Sequence, residues 1–178
     1  MQLQFALLPL LPTLLLTTAQ ATTDPTNPIL TALTSISAHT TTLNTTVSTW
    51  TGSPLTLLTI TAQSGTLLES IYAGTHAASR AANLTLDETL AVASATVTLA
   101  TDVNQTITSI IRAKHKFDAL LVADPVVLLN LQLERDASKE FAAKVVEKVP
   151  VDLQSVAEGL TKGIDDSFAE GIAAFEVL

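Results

Sequence analysis

The stretch NPILTALTSISAHTTTLNTTVSTW, Asn27 to Trp50, decides the fold. Its apolar residues fall at Ile29, Leu33, Ile36, Leu43, Val47 and Trp50, and Thr40 fills the missing step of an alternating four-and-three spacing. That spacing lines one face of an α-helix, because about 3.6 residues complete each turn. Gly52-Ser53-Pro54 breaks the pattern, and a second stripe follows at Leu57, Ile60, Ser64, Leu67, Ile71 and Ala78. After a loop at Asn83-Leu84, Thr85-Leu86-Asp87-Glu88 has the form of a capping box, in which hydroxyl and carboxylate satisfy the first free amides of a helix. The third stripe then reads Leu86, Leu90, Ala93, Val97, Ala100, Ile107 and Ile111. Asp124-Pro125 supplies an N-cap and a first-turn proline for a fourth helix. Val127, Leu131, Phe141, Val145 and Val149 line it, Glu134 falls on the same inner face, and Pro150 stops it. A fifth stripe runs Leu153, Val156, Leu160, Ile164, Phe168, Ile172 and Phe175. No segment alternates with period two, so no strand is expected. The fold class is all-α: a single-domain up-and-down bundle of about five amphipathic helices, residues 22–178, whose short loops set sequential helices side by side.

The residues before the bundle read as an address. Met1 to Ala21 holds an apolar run from Phe5 to Leu16 and ends in Ala19-Gln20-Ala21, the small-x-small pattern of signal cleavage. Pro9 and Pro12 make it a poor membrane span, and its start carries no Lys or Arg. A signal peptide over residues 1–21 and a secreted, soluble mature chain without lipid anchor or transmembrane segment are expected.

The chain has 178 residues, 47% hydrophobic but only 4% aromatic, with nine Lys and Arg against seventeen Asp and Glu, a net charge of −8. Phosphate backbones are bound by clustered cations, so this balance argues against nucleic acid. The absence of cysteine excludes disulfides, thiolate nucleophiles and Cys-based metal sites. His39, His76 and His115 lie on different elements without the i, i+4 spacing of a zinc helix, and neither a Gly-x-Ser-x-Gly elbow nor a phosphate-cradling glycine loop occurs. Asp87-Glu88 and Asp165-Asp166 read as capping and solvated charge, and Arg112, Lys114 and Lys116 as cations ending the third helix. No catalytic residue, cofactor or metal site is expected. Asn44, Asn83 and Asn104 head Asn-x-Thr triplets and are candidate glycosylation sites in a secreted chain. Threonine is dense from Thr22 to Thr108, and only Thr161 follows, so O-linked sugars or a polar helix face would each account for it.

Two features stand out from the stripes. Thr40, Ser64 and Ser138 are hydroxyls at seam positions; they either bond back to the preceding turn or meet the polar end of an amphiphile in a cavity. Gly159, Gly163, Ser167 and Gly171 recur every fourth residue, and glycine in a helix costs about 1 kcal/mol relative to alanine. Close packing of a neighbouring helix is the expected compensation; an open groove is the alternative.

Taken together, Trp50-Thr51-Gly52, the stretch Ala62 through Leu67-Leu68-Glu69-Ser70-Ile71, Lys114-His115-Lys116-Phe117, Lys148-Val149-Pro150, and Ile164-Asp165-Asp166-Ser167-Phe168-Ala169 with Ile172-Ala173-Ala174-Phe175 form a pattern in order and spacing. This pattern resembles the fungal hydrophobic surface-binding protein A family, also called cell-wall galactomannoproteins, over about Ile29 to Phe175. The resemblance implies a secreted or cell-wall-associated, non-enzymatic mannoprotein that binds hydrophobic surfaces or fatty-acid-like lipids, with cell-wall polysaccharide as a further partner. It transfers no catalytic residue. Seam positions expected to contact a lipid or apolar surface are Ser64, Leu67, Ile71, Val97, Ile107, Phe141, Ile164 and Phe168. Three roles follow: adsorption through an opened bundle, a soluble carrier with a lipid in its interior, or a wall glycoprotein without a ligand.

Overall fold

The computed structural model describes residues 27–120 and 123–176; the expected signal peptide, Met1–Ala21, lies outside them. Every stripe read from the sequence becomes a helix: α1 Pro28–Thr49, α2 Pro54–Arg80, α3 Leu86–Arg112, α5 Ala123–Val146 and α6 Gln154–Glu176. A short α4, Lys114–Asp118, and a 3-10 turn, Val151–Leu153, complete the described residues, which contain no strand.

Local chemistry sets the boundaries. Asn27 caps α1, its side-chain oxygen accepting from the amides of Ile29 at 2.9 Å and Leu30 at 3.3 Å, with Pro28 in the first turn. Gly52 makes the α1–α2 turn at φ +95°, a conformation only glycine adopts without strain. The capping box at the start of α3 forms as expected, with the Glu88 carboxylate accepting from the Thr85 amide at 2.8 Å. Glu88 also accepts from Asn27 at 3.0 Å, tying the two helix starts together and helping to hold its carboxyl below the usual range, after the larger effect of Thr85. Several boundaries differ from expectation: α5 ends at Val146, short of Val149, and α6 starts at Gln154, which leaves Leu153 in the 3-10 turn. Lys114 and Lys116 belong to the separate α4, because the chain turns at Ala113. Asp124 lies inside the first turn of α5, not at its cap, and accepts from Lys114 at 3.4 Å.

The five long helices close a ring in the order α1, α3, α6, α5, α2 and back to α1. Contacts between side chains give the directions. Asn27–Glu88, Ser37–Asp102 and Asn44–Ser109 climb α1 and α3 together, so these helices are parallel. Ser64–Glu134 and Gly74–Phe141 show the same for α2 and α5. The chain does run up and down in sequence, yet several neighbours in space are parallel, and α2 and α3 are not side by side despite their short loop. Loop length fixes direction, not which face the next helix takes.

The α1 face is buried as read, from Ile29 to Trp50, with Thr40 in register. Trp50 stacks on Phe117 at 4.6 Å between ring centroids, and Phe117 meets Phe175 at 5.9 Å, so α4 plugs one end of the ring. The α3 stripe is a correction. Its buried face is Thr89, Val92, Thr96, Leu99, Val103, Thr106 and Ile110, whereas Leu86, Leu90 and Val97 are 59%, 60% and 51% exposed. The true face carries the four-and-three spacing, but threonines hold three of its positions. Each bonds back to the carbonyl four residues earlier, Thr96 to Val92 at 2.8 Å for example, and with its hydroxyl so satisfied it packs like valine.

Candidate functional site

The last helix is built in two halves. From Ser167 onward it buries Phe168, Gly171, Ile172 and Phe175, but no residue from Val151 to Asp166 is buried. Gly171 is the one member of the glycine stripe that packs closely; a Cβ there would lie 3.0 Å from Ile107 Cγ2. Gly159 and Gly163 are exposed with open space where a Cβ would stand, so the expected helix–helix approach does not occur at them.

Beneath this loosely seated half lie three adjoining hollows. An open cleft of about 690 Å³ separates α5 from α6, floored by Ala142, Val146 and Ile164 and rimmed by three cations, Arg135, Lys139 and Lys162, and three acids, Glu147, Glu158 and Asp165. Inside it, a hollow of about 40 Å³ reaches the bundle axis among Leu67, Ile71, Leu99, Phe141 and Phe168. A groove of about 110 Å³ between α3 and α6 is walled by Leu90, Val145, Leu153, Val156 and Leu160. Thr161 lines all three, and Ser138, Ala142 and Ile164 line both the cleft and the axial hollow. The cleft is spanned by one ionic clasp: Arg135 donates to both oxygens of Asp165, at 2.6 and 3.2 Å, and Lys139 lies 3.1 Å from it. Arg135 first, then Lys139, holds the Asp165 carboxyl below its ordinary range. The partners are about a third exposed, and such pairs contribute about 1 kcal/mol or less.

A fourth, smaller hollow of about 30 Å³ lies among α1, α2, α3, α4 and α5 and is lined by Ser64 and Glu134. Glu134 is 4% exposed, and its Oε1 accepts from Ser64 Oγ at 2.5 Å. Burial pushes its carboxyl up to about 7, against a smaller lowering by Ser64.

Of the seam positions named from sequence, Leu67, Ile71, Phe141, Ile164 and Phe168 converge on the axial hollow, and Ser64 lines the Glu134 hollow. Ile107 is buried against Gly171 and lines none of these hollows. Val97 points outward, half exposed, and as a lining position is corrected by the true phase of α3. Of the three seam hydroxyls, Thr40 bonds back to Ile36 at 2.8 Å, while Ser64 bonds across to α5 and half-buried Ser138 faces the cleft. Thr161 was missed: it sits one residue past the Leu160 stripe, and no apolar signal marks it. Among the candidate glycosylation sites, Asn83 and Asn104 are exposed and Asn44 is half-buried, its side-chain oxygen accepting from Ser109 at 2.7 Å. His39, His76 and His115 lie on α1, α2 and α4, and among the described residues no group of three or more metal-ligating side chains gathers. No helix among them is long and apolar enough to cross a membrane.

Residues 26–147 match the family described as hydrophobic surface binding protein A. The fold is shared with solved structures of low sequence identity. One is AFMP4P in complex with palmitic acid, with 22% identity, TM-score 0.79, and coverage of 83% of this chain and 97% of that one. Another is ligand binding domain 1 of the Penicillium marneffei MP1 protein complexed with arachidonic acids, with 21% identity, TM-score 0.79, and coverage of 84% and 97%. Ligand binding domain 2 of the same protein, complexed with multiple arachidonic acids, gives 20% identity, TM-score 0.79, and coverage of 85% and 96%. No curated protein resembles the chain closely enough in sequence to count as a match.

Proposed function

Because the chain belongs to the hydrophobic surface binding protein A family, we propose that it is a secreted, non-enzymatic binder of aliphatic lipid chains, loaded beneath the first half of α6. The observation that carries the reading is the continuity of the cleft, the axial hollow and the α3–α6 groove through Thr161. An acyl chain enters between α5 and α6 and displaces the weakly held first half of α6. Its methylenes replace water against Ile164, Phe141 and Leu67, at about 0.8 kcal/mol for each one buried. A fatty-acid carboxylate stays at the rim, where it takes the place of Asp165 on Arg135 and Lys139 as the clasp opens. The neighbours solved with palmitic and arachidonic acids support this choice of ligand class. The axial hollow and the α3–α6 groove, at about 40 and 110 Å³, are small without a ligand, so the interior must widen to hold a chain, and a bundle with few aromatic and many aliphatic and threonine side chains widens readily.

Native mass spectrometry of protein from a eukaryotic secretory host, before and after organic extraction, tests the reading. A discrete adduct lost on extraction, and restored by added palmitate, is the expected result. Thr161→Trp fills the junction and should fold normally while failing to reload. A wild-type protein that neither carries nor takes up an amphiphile would overturn the proposal. The same spectra report glycan ladders on Asn44, Asn83 and Asn104, as expected for a wall mannoprotein.

A second reading, adsorption to oily surfaces, draws on the exposed apolar residues, of which Leu90 and Val156 also wall the α3–α6 groove. Leu55, Leu58 and Leu129 at one end of the bundle are 77%, 67% and 54% exposed, and Leu86, Leu90 and Val156 near the other are 59%, 60% and 60% exposed. Scattered exposed apolar residues are ordinary, but two such groups give a helical bundle apolar ends to set on an interface.

A further inference from the structure

We infer that the Glu134–Ser64 hollow is a separate polar end-site that takes the hydrogen-bond-donating head of a single-chain amphiphile, a primary ammonium above all, and refuses a carboxylate. The inference rests on the lipid-binding reading and adds a head-group class and an opposite orientation to it.

Ser64 is the first sign. The other buried hydroxyls of the bundle, Thr40, Thr75, Thr89, Thr96, Thr106 and Ser167, each bond to the carbonyl one turn earlier on their own helix. Thr106 also reaches the Thr40 carbonyl of α1 at 3.3 Å and Ser167 accepts from Asn104 at 3.4 Å, but Ser64 alone makes no bond to its own helix and gives its proton to a side chain on another. That partner is a carboxyl group with no cation beside it. Only Glu134 among the residues lining the hollow is titratable; α1, α2, α3 and α4 present it apolar side chains with Thr61 and Ser64, and α5 adds Asn130 as its other polar group. Arg135, next in sequence, is turned to the outer clasp with Asp165. Among the described residues, Glu134 Oε2 accepts no hydrogen bond.

Glu134 has its one donor in Ser64, and a single hydroxyl does not replace the hydration of a buried carboxylate, so ionising it here costs stability unless a cation meets it. The hollow is the right size for a small donor. At about 30 Å³ it exceeds what one water needs and fits a single ammonium or hydroxyl group. A carboxylate would bring a second negative charge to a site without a compensating cation, so it is excluded electrostatically. An ammonium instead supplies the missing counter-charge and lets Glu134 ionise, with burial's upward push on its proton affinity relieved. The axial hollow begins one turn away, at Ser138 beyond Glu134 on α5 and Leu67 beyond Ser64 on α2; the two hollows share no lining residue, so a tail reaches it by parting the α2–α5 seam between them. An amine therefore binds head inward, whereas a fatty acid binds head outward at the Arg135–Lys139 rim.

The test uses the delipidated full chain with hexadecylamine, hexadecanol and palmitate at pH 8, in wild type and Glu134→Gln. The amine should bind wild type about tenfold tighter than the alcohol, since charge-assisted hydrogen bonds are roughly twice as strong as neutral ones. In Glu134→Gln that preference should collapse while palmitate affinity stays unchanged. A preference for amine that survives the substitution, or its absence in wild type alongside normal palmitate binding, overturns this inference alone. Failure of all three amphiphiles to bind overturns the lipid-binding reading with it. A readout on the unmodified protein stands beside the variant: the 13C resonance of Glu134 Cδ at pH 6 should move to the carboxylate position on adding hexadecylamine and remain unmoved by palmitate. No movement with a bound amine refutes the head-inward pose.

Discussion

Replacing Glu134 with glutamine should stabilise the protein at pH 8 and leave it almost unchanged at pH 4. The carboxyl is 4% exposed, and burial raises its proton affinity from an ordinary value of 4.5 to about 7. Between those values the native state keeps a proton that the unfolded chain has released, so the native state binds more protons and stability falls as pH rises. The loss begins near pH 4.5, deepens up to pH 7 and then levels. Its full size is about 3 kcal/mol at 1.36 kcal/mol per unit, an upper figure because water can reach a relaxed site. Glutamine keeps an oxygen to accept from Ser64 and has no charge to bury. The stability difference between variant and wild type should therefore grow from near zero at pH 4 toward about 3 kcal/mol at pH 8, within a total of about 5–15 kcal/mol for a domain of ordinary stability. Urea unfolding followed by far-ultraviolet circular dichroism at pH 4, 6 and 8 measures it. A difference of that size moves the midpoint by about 1–3 M, given a slope of roughly 1–3 kcal/mol per M. Carboxylates lowered by their partners, such as Asp165 and Glu88, lose stability on the acid side, but they are common to both proteins and cancel. A pH-independent difference, or a variant weaker than wild type at pH 8, would refute the account of Glu134 as an uncompensated buried acid.

The glycines of the helices give predictions of opposite sign. Gly159→Ala with Gly163→Ala meets only open space and should raise stability by about 1 kcal/mol per site, measured by thermal unfolding, and slow the release of bound lipid. Gly74→Ala should instead destabilise by about 1–3 kcal/mol, because its Cβ would stand 3.2 Å from Phe141 Cε2 and 3.3 Å from both Ala32 Cβ and Ile36 Cδ1; a melting temperature at or above wild type would show that α1 and α5 yield more easily than their packing suggests. Hydrogen exchange should find the amides of residues 155–165 opening well before those of 168–176, and equal protection across α6 would sink the two-part description of that helix.

Where apolar residues carried the pattern, the fold was legible. Ile29 to Trp50 reads as one buried face and is one, and Val127, Leu131, Phe141 and Val145 do the same for α5. On α3 the reading slipped by one position, which rotates a helix by about 100°. Leu86, Leu90 and Val97 are more apolar than Thr89, Thr96 and Thr106, yet the threonines are buried, because a hydroxyl that bonds within its own helix leaves a methyl group to the core. Hydropathy counts the hydroxyl as if it still needed water. The ring order was not legible, since the Ala81–Thr85 connection is long enough to carry α3 past α2 to the far side of α1. The site was legible in part: the seam of α2, α5 and α6 converges on the axial hollow, but a junction made by Thr161 and Ala142 is defined by missing volume, which no residue type announces.

The division of α6 explains how a tightly packed bundle can also be a binding protein. Its second half is anchored by Phe168, Ile172 and Phe175, each worth about 1.5–3 kcal/mol of burial, and Phe175 closes the aromatic plug on Phe117. Its first half has half-buried contacts from Ala157, Leu160 and Ile164, with Leu153 of the preceding 3-10 turn, two exposed glycines that weaken the helix itself, and the Arg135–Asp165 clasp. Those terms sum to far less than the anchor, so the helix can lift at one end while the other holds the ring closed. A carrier needs this asymmetry. Were both halves anchored equally, a lipid could enter only by unfolding the bundle; were both loose, the interior would stay wet and the chain would gain little by entering. On the proposed function, the polar clasp, the solvent-facing glycines and the late burial of α6 favour an opening between α5 and α6, with the axial hollow directly behind it.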